Sequence, residues 1–191
     1  MILFINACVR KESRTLRLAQ YLIDQIRGED RVEEIRLEDF DFPKVDEEFI
    51  LKRDELAMAG EFSDPMLEHA VRFAKADTIV IAAPFWDLSF PASLKQYMEQ
   101  VTANGVTFSY SEEGIPQGKC RASRLYYVTT AGGRIFDPTF GFGYVEALAR
   151  DYYGIPETCM VKAEDLDILG ADPERILQGA MEEIKAMIAA D

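Results

Sequence analysis

Three short stretches carry the residue types that could do chemistry together. The first is Asn6-Ala-Cys-Val-Arg10-Lys-Glu-Ser13-Arg14-Thr15, where arginines and hydroxyls gather just as a helical pattern begins. Free N–H groups and the positive end of a helix dipole favour a phosphate at such a place, and hydroxyls add donors. The same residues also suit plain helix capping by Ser13 or Thr15, with the arginines left in water. No G-x-G-x-x-G or G-x-x-x-x-G-K-S/T pattern is present. That disfavours a dinucleotide Rossmann site and an NTPase loop, and leaves a monophosphate cradle.

The second stretch, Pro84-Phe85-Trp86-Asp87-Leu88-Ser-Phe90-Pro91, holds the single tryptophan of the chain. An aromatic loop at the carboxyl end of a central parallel strand is where open α/β sheets bind ligands; a hydrophobic plug between strand and helix is the alternative. The third, Thr129-Thr130-Ala-Gly132-Gly133, places paired glycines directly after a strand. They let the backbone come close to a planar ligand with its amides free, or simply make a tight turn. A phosphate cradle, an aromatic loop and a glycine approach at one edge are what a phosphorylated, planar, partly apolar cofactor requires, and FMN fits. No residue pattern suggests a metal site. His69, the lone histidine, falls in a predicted outer helix and reads as surface or packing.

The elements that must position these loops follow from the pattern of apolar residues. Ile2 to Ile5, Thr78 to Ala83, Leu125 to Thr130 and Thr158 to Val161 are short β-branched or apolar runs, as strands buried on both faces are, and Val32 to Leu37 alternates. Helices are expected up to Arg27, around Glu47 to Met58, from Asp64-Pro65 to before Asp77, from Pro91 with Leu94, Tyr97, Met98 and Val101 inward, over Pro138 to Tyr153, and from Pro173 with Asp172 as cap. Val106 to Tyr110 reads as a short extended segment and Ser111 to Gly118 as a polar turn. Strand and helix alternate throughout. The expected fold class is therefore α/β: a five-stranded parallel sheet of order 2-1-3-4-5 with helices on both faces, a three-layer sandwich, in a single domain over 1–191. In that order the three stretches all emerge at the carboxyl edge.

Composition bounds the partners. The 34 acidic and 21 basic residues give a net charge of -13, which repels nucleic acid and anionic membrane. No run approaches the ~20 apolar residues of a membrane span. The opening Met1-Ile-Leu-Phe-Ile5 reads as a first strand and not as a signal peptide. Three cysteines, Cys8, Cys120 and Cys159, without motif spacing fit a reducing cytoplasm.

In Ala83 to Tyr97, in Gly105-Val-Thr-Phe-Ser-Tyr110 and in Thr130-Ala-Gly-Gly133 the sequence resembles the FMN-dependent azoreductase and NAD(P)H:quinone oxidoreductase family of the flavodoxin-like fold. The resemblance implies Arg10, Ser13 and Thr15 at the FMN phosphate, and Pro84, Phe85, Trp86, Asp87 and Leu88 along the isoalloxazine and ribityl. It places Thr130, Gly132 and Gly133 at the pyrimidine end. It implies two-electron ping-pong transfer from NADH or NADPH to a quinone or azo compound, with the cofactor carrying the chemistry and no side chain named as acid or base. A homodimer is implied too, with Tyr110, Phe136 and Phe140 lining the substrate side. Asp87 stands where the family usually has Asn, and the first loop departs from its commoner Ser-rich pattern. The rival classes are a flavodoxin-type electron carrier, and a binding or regulatory protein that kept the fold and lost flavin.

Overall fold

The computed structural model describes residues 1–190. Its centre is a five-stranded sheet of β1 (Ile2–Asn6), β2 (Val32–Arg36), β3 (Thr78–Ala82), β6 (Arg124–Thr130) and β7 (Glu157–Ala163), all parallel, in the order β2-β1-β3-β6-β7. With β4 (Phe108–Tyr110) and β5 (Pro116–Gly118) set aside as a separate antiparallel hairpin, this is the expected order 2-1-3-4-5.

Side chains alternate across each strand, so both faces are apolar. Leu3, Ile5, Ile79, Ile81, Leu125 and Tyr127 bury one face against α3 (Glu68–Lys75), α4 (Ala92–Val101) and the helical stretch 139–153. Ile2, Phe4, Val80, Ala82, Tyr126 and Val128 bury the other against α1 (Arg14–Ile26) and α6 (Pro173–Ala190). The α4 stripe of Leu94, Tyr97, Met98 and Val101 is buried as its spacing predicts. A smaller cluster joins α2 (Glu47–Ala59) to Leu67, Ala70, Ala103 and Val106. Helix α2 starts at the expected residue, with the Asp46 carboxylate accepting from Phe49 N–H at 3.1 Å, and Asp172 caps α6 through Arg175 N–H at 3.1 Å.

Three local expectations are corrected. Pro91 does not lie inside α4 but is its cap residue, its carbonyl accepting from Leu94 N–H at 2.9 Å. Residues 116–118 are not part of a turn. Ser111 closes a tight turn by accepting from the Glu113 and Ile115 amides, after which β5 pairs Phe108 with Gly118 and Tyr110 with Pro116. The sequence Pro-Gln-Gly has no strand propensity, so the pairing is imposed by tertiary contact. The stretch 139–153 is helical but wound mostly in wide π turns, over Thr139–Gly143 and Leu148–Tyr153, around a four-residue α5 (Tyr144–Ala147). Gly141 and Gly143 weaken its hold on α geometry.

His69 is half-buried, its ring 5.0 Å from Phe40, 5.4 Å from Phe42 and 5.7 Å from Tyr97, and its Nδ1 is buried without a hydrogen-bond partner. Desolvation lowers its pKa from the ordinary 6.5, against the attraction of Glu68. The unfolded chain therefore binds the extra proton first. His69 contributes stability above the unfolded value that is lost as pH falls through 6.5 towards the lowered folded value. Urea titrations at pH 7.5 and 5.5 will show a loss of stability on acidification that is smaller in His69→Phe.

The hairpin is fixed by a backbone approach. A Cβ on Gly118 would run into Gly154 N and the Tyr153 carbonyl carbon, and Cys120 N–H donates to Tyr153 O at 3.2 Å across the same junction. These are main-chain atoms and cannot turn aside. Gly118→Ala is expected to cost about 3 kcal/mol, read as a fall in melting temperature of roughly 6–12 °C.

Candidate functional site

Four loops meet at the carboxyl edge of the sheet. Between them lies a cavity of about 280 Å³ lined by Val9, Arg10, Glu12, Ser13, Arg14, Thr15, Pro84, Phe85, Trp86, Thr130, Ala131, Gly132, Leu166 and Asp167. Of the residues singled out from the sequence, Arg10, Ser13, Thr15, Pro84, Phe85, Trp86, Thr130 and Gly132 are on its wall. Asp87, Leu88 and Gly133 are in the same loops but not on that wall.

The first loop leaves β1 through Asn6, which is 2% exposed. Its amide donates to Glu34 Oε1 at 2.8 Å and its Oδ1 accepts from Cys8 N–H at 2.9 Å, so the chain turns at once toward α1. Ser13 is the N-cap, its hydroxyl accepting from Leu16 N–H at 3.2 Å. The capping role is real, and the Ser13 side chain also bonds the Cys8 thiol. Thr15 and Thr130 are buried with their hydroxyls 2.6 Å apart, tying the first loop to the third. One bond between two hydroxyls uses one proton, so a second O–H remains for a ligand. The opening N–H groups of α1 and its dipole add positive potential.

The aromatic loop is a two-residue hairpin turn. Trp86 N–H donates to Ser89 O at 3.1 Å and Ser89 N–H returns to Trp86 O at 2.7 Å, with Asp87 at φ 50° and Leu88 at φ 67°. Such a turn needs both central residues left-handed, which suits Asp87 better than Leu88. The Ser89 hydroxyl donates to Phe140 O at 2.7 Å, clamping the turn to the start of the π-wound stretch. Trp86 is 37% exposed and Leu88 62%. The turn thus holds apolar surface out toward water.

The third loop is braced by a fourth, 164–168, which the sequence reading did not single out. Leu166 N–H donates to Ala131 O at 3.2 Å, Asp167 N–H to Gly132 O at 2.8 Å, and Asp165 N–H to Gly133 O at 3.2 Å. Any sheet of this order also releases the loop after its last strand at the same edge, so topology was the available signal. The amides of Asp87, Leu88, Gly132 and Gly133 carry no hydrogen bond within the chain among the described residues. A Cβ on Gly133 would meet nothing within 4 Å.

Tyr110, Phe136 and Phe140 are not on the cavity wall. Tyr110 stacks edge-on against Phe108 at 5.3 Å in the hairpin, Phe136 is 89% exposed beside a separate open groove with Gly133 and Leu169, and Phe140 is 59% exposed next to Ser89. Burial pushes the Cys8 thiol up from its ordinary value, against a side-chain hydrogen bond with Ser13 that lowers it. No group of three or more metal-ligating side chains occurs among the described residues, and none of their helices is long and apolar enough to cross a membrane.

The strand order and the cavity at the carboxyl edge define a doubly wound α/β protein. The family model for the flavodoxin-like fold matches residues 1–188, and the chain belongs to that family. Among its relatives are an FMN-dependent NADH:quinone oxidoreductase 2 of Clostridium acetobutylicum, 33% identical with 96% of each chain covered, and an FMN-dependent NADH:quinone oxidoreductase of Coprothermobacter proteolyticus, 30% identical with 97% and 96% covered. A solved azoreductase of Bacillus anthracis superposes with a TM-score of 0.81 at 21% identity, covering 97% of both chains. An FMN-dependent NADH-azoreductase of the same species, solved with FMN, superposes at 0.79 and 24%, covering 99% of this chain and 97% of its own. At these identities the two structures speak for the fold.

A β-carbon at φ 67° costs about 1–2 kcal/mol, and the Leu88 side chain is mostly in water. Leu88→Gly is therefore expected to raise stability by about 0.5–1 kcal/mol after the entropy of glycine is set against the relief. A rise in the urea midpoint with an unchanged slope checks it.

Proposed function

We propose that the chain is an FMN-dependent NADH:quinone oxidoreductase that also accepts azo compounds, acting as one domain over 1–191. The observation that carries this reading is the cavity that opens at the N-terminus of α1 and is walled by Phe85, Trp86 and Gly132. Its donors suit a phosphate monoester at one end, and its aromatic and glycine walls suit a flat ring at the other. Unpartnered main-chain amides at Asp87, Leu88, Gly132 and Gly133 are left for the polar edge of that ring. The names of full-length relatives favour a reductase over an electron carrier or a flavin-less regulator.

Ser13, Thr15, Arg10 and Arg14 would hold the phosphate, with the second O–H of the Thr15 and Thr130 pair and the α1 dipole as fixed donors. Pro84, Phe85 and Trp86 would exclude water from one side of the ring, and Thr130 with the Gly132 and Gly133 amides would meet its pyrimidine end. Bound there, FMN supplies the chemistry of accepting a hydride from NADH and delivering two electrons to the acceptor. The protein's part is placement and charge. Preorganised amides favour negative charge on the ring, whereas the Asp87 carboxylate, where the family usually has Asn, disfavours it. Trp86, Leu88 and Phe140 project from this edge as exposed apolar side chains, which supports a homodimer that covers them and places Tyr110 and Phe136 nearer the substrate. Unpaired thiols at Cys8 and Cys120 support a cytoplasmic location.

The test is spectroscopic. The purified protein is expected to carry or take up FMN, to bleach when NADH is added without oxygen, and to regain its colour on addition of a quinone. A colourless protein that takes up no FMN would overturn the assignment.

A further inference from the structure

The cavity holds carboxylates where a phosphate seat calls for cations. Arg10 and Arg14 line it, but so do Glu12 and Asp167. Asp167 is placed by its own backbone, whose N–H donates to Gly132 O at 2.8 Å. Its side chain lies flat against the same glycine: a Cβ on Gly132 would come 2.6 Å from Asp167 Oδ2. From there Asp167 Oδ1 takes Arg14 Nη1 at 2.8 Å. Arg17, the next arginine of α1, is no substitute, because Glu174 holds both its terminal nitrogens at 2.8 Å. Among the described residues Arg14 is thus the one arginine of the cavity wall held by an ion pair, and its partner is an anion of that wall.

We propose that Asp167 is an affinity-determining residue of the phosphate seat: it holds Arg14 when no flavin is present and must be displaced, wholly or in part, when a flavin phosphate arrives. This rests on the FMN reading above. A phosphate monoester carries about -1.5 to -2 at neutral pH, so it meets both a competitor for Arg14 and a like charge beside it. Asp167 is 64% exposed at its side chain and can turn to water. Among the described residues only Nη1 of Arg14 is engaged, so the rest of the guanidinium fork is ready to bond the phosphate once the carboxylate moves. The consequence is a cofactor that binds reversibly and exchanges, because part of the binding energy goes into breaking an existing ion pair. Gly132 then has a second role, giving the competing carboxylate room to lie beside Arg14.

The experiment compares FMN with riboflavin, which has the same ring and no phosphate, by quenching of flavin fluorescence on titration with flavin-free protein. Asp167→Asn keeps the size of the side chain and its backbone bond to Gly132. It is expected to tighten FMN by about tenfold, as removal of one charge near a dianion in a solvent-exposed site allows, and to leave riboflavin within about twofold. Glu12→Gln removes one charge from the same cavity without freeing Arg14, and is expected to shift FMN less than Asp167→Asn does. The proposal is overturned if Asp167→Asn leaves FMN binding unchanged or weakens it, which would make the carboxylate an orienting partner of Arg14. It also fails if both flavins shift alike, or if Glu12→Gln matches Asp167→Asn. Wild-type protein that binds neither flavin overturns the FMN reading itself; binding of FMN with any of the preceding results overturns the Asp167 inference alone.

Discussion

Three backbone hydrogen bonds decide where the site can be. Ala7 N–H donates to Ala82 O, Ala83 N–H to Val128 O and Ala131 N–H to Ala163 O, each at 2.9 Å. They extend the parallel ladder one residue past β1, β3 and β6, so each chain leaves the sheet one step beyond its neighbour's last bonded carbonyl. Because both faces of these strands are buried, a slip of one residue would carry every inward side chain to the other face. The exits of the first, second and third loops are therefore set by the packing of the whole sheet, and the hydroxyl pair of Thr15 and Thr130 joins loops whose origins are already fixed.

On that frame the loops divide the labour by chemistry. The α1 terminus supplies donors, the turn at 86–89 supplies aromatic and aliphatic surface, and the glycine loop supplies bare backbone. Each is held by the next: Phe85 N–H bonds Thr130 O at 3.0 Å, Ser89 is clamped to Phe140, and the 164–168 loop backs the glycines. The left-handed Asp87 and Leu88 are tolerated because reciprocal bonds between Trp86 and Ser89 over-determine the turn.

What could be seen in the sequence follows the range of the forces involved. Strands buried on both faces announce themselves as apolar runs, α4 through its stripe and α6 through its cap and stripe, so the topology and three of the four loops were legible. The hairpin strand at Pro116 was not, since its pairing comes from a backbone approach to Gly154 and no local preference signals it. The π winding of 139–153 was likewise invisible to a pattern of apolar residues that serves either register. Asp167 is one acid among 34 acidic residues, and only the fold brings it to Arg14 across 153 residues of chain. Tyr110, Phe136 and Phe140 were read as a substrate wall and lie off the cavity, because an aromatic side chain serves a hairpin or an exposed loop as readily as a ligand wall.

The meeting of Gly118 and Gly154 binds two distant parts of the chain to a shared history. A Cβ on Gly154 would lie 3.1 Å from Gly118 Cα, and the residue is left-handed at φ 73°, so neither glycine can be replaced while the other keeps its place. Drift at one position is closed as long as the hairpin rests on the end of the helical stretch. Among descendants of this sequence the two are expected to persist or vanish together, and a lineage that loses the pair will carry a hairpin of different length or a different seat for it.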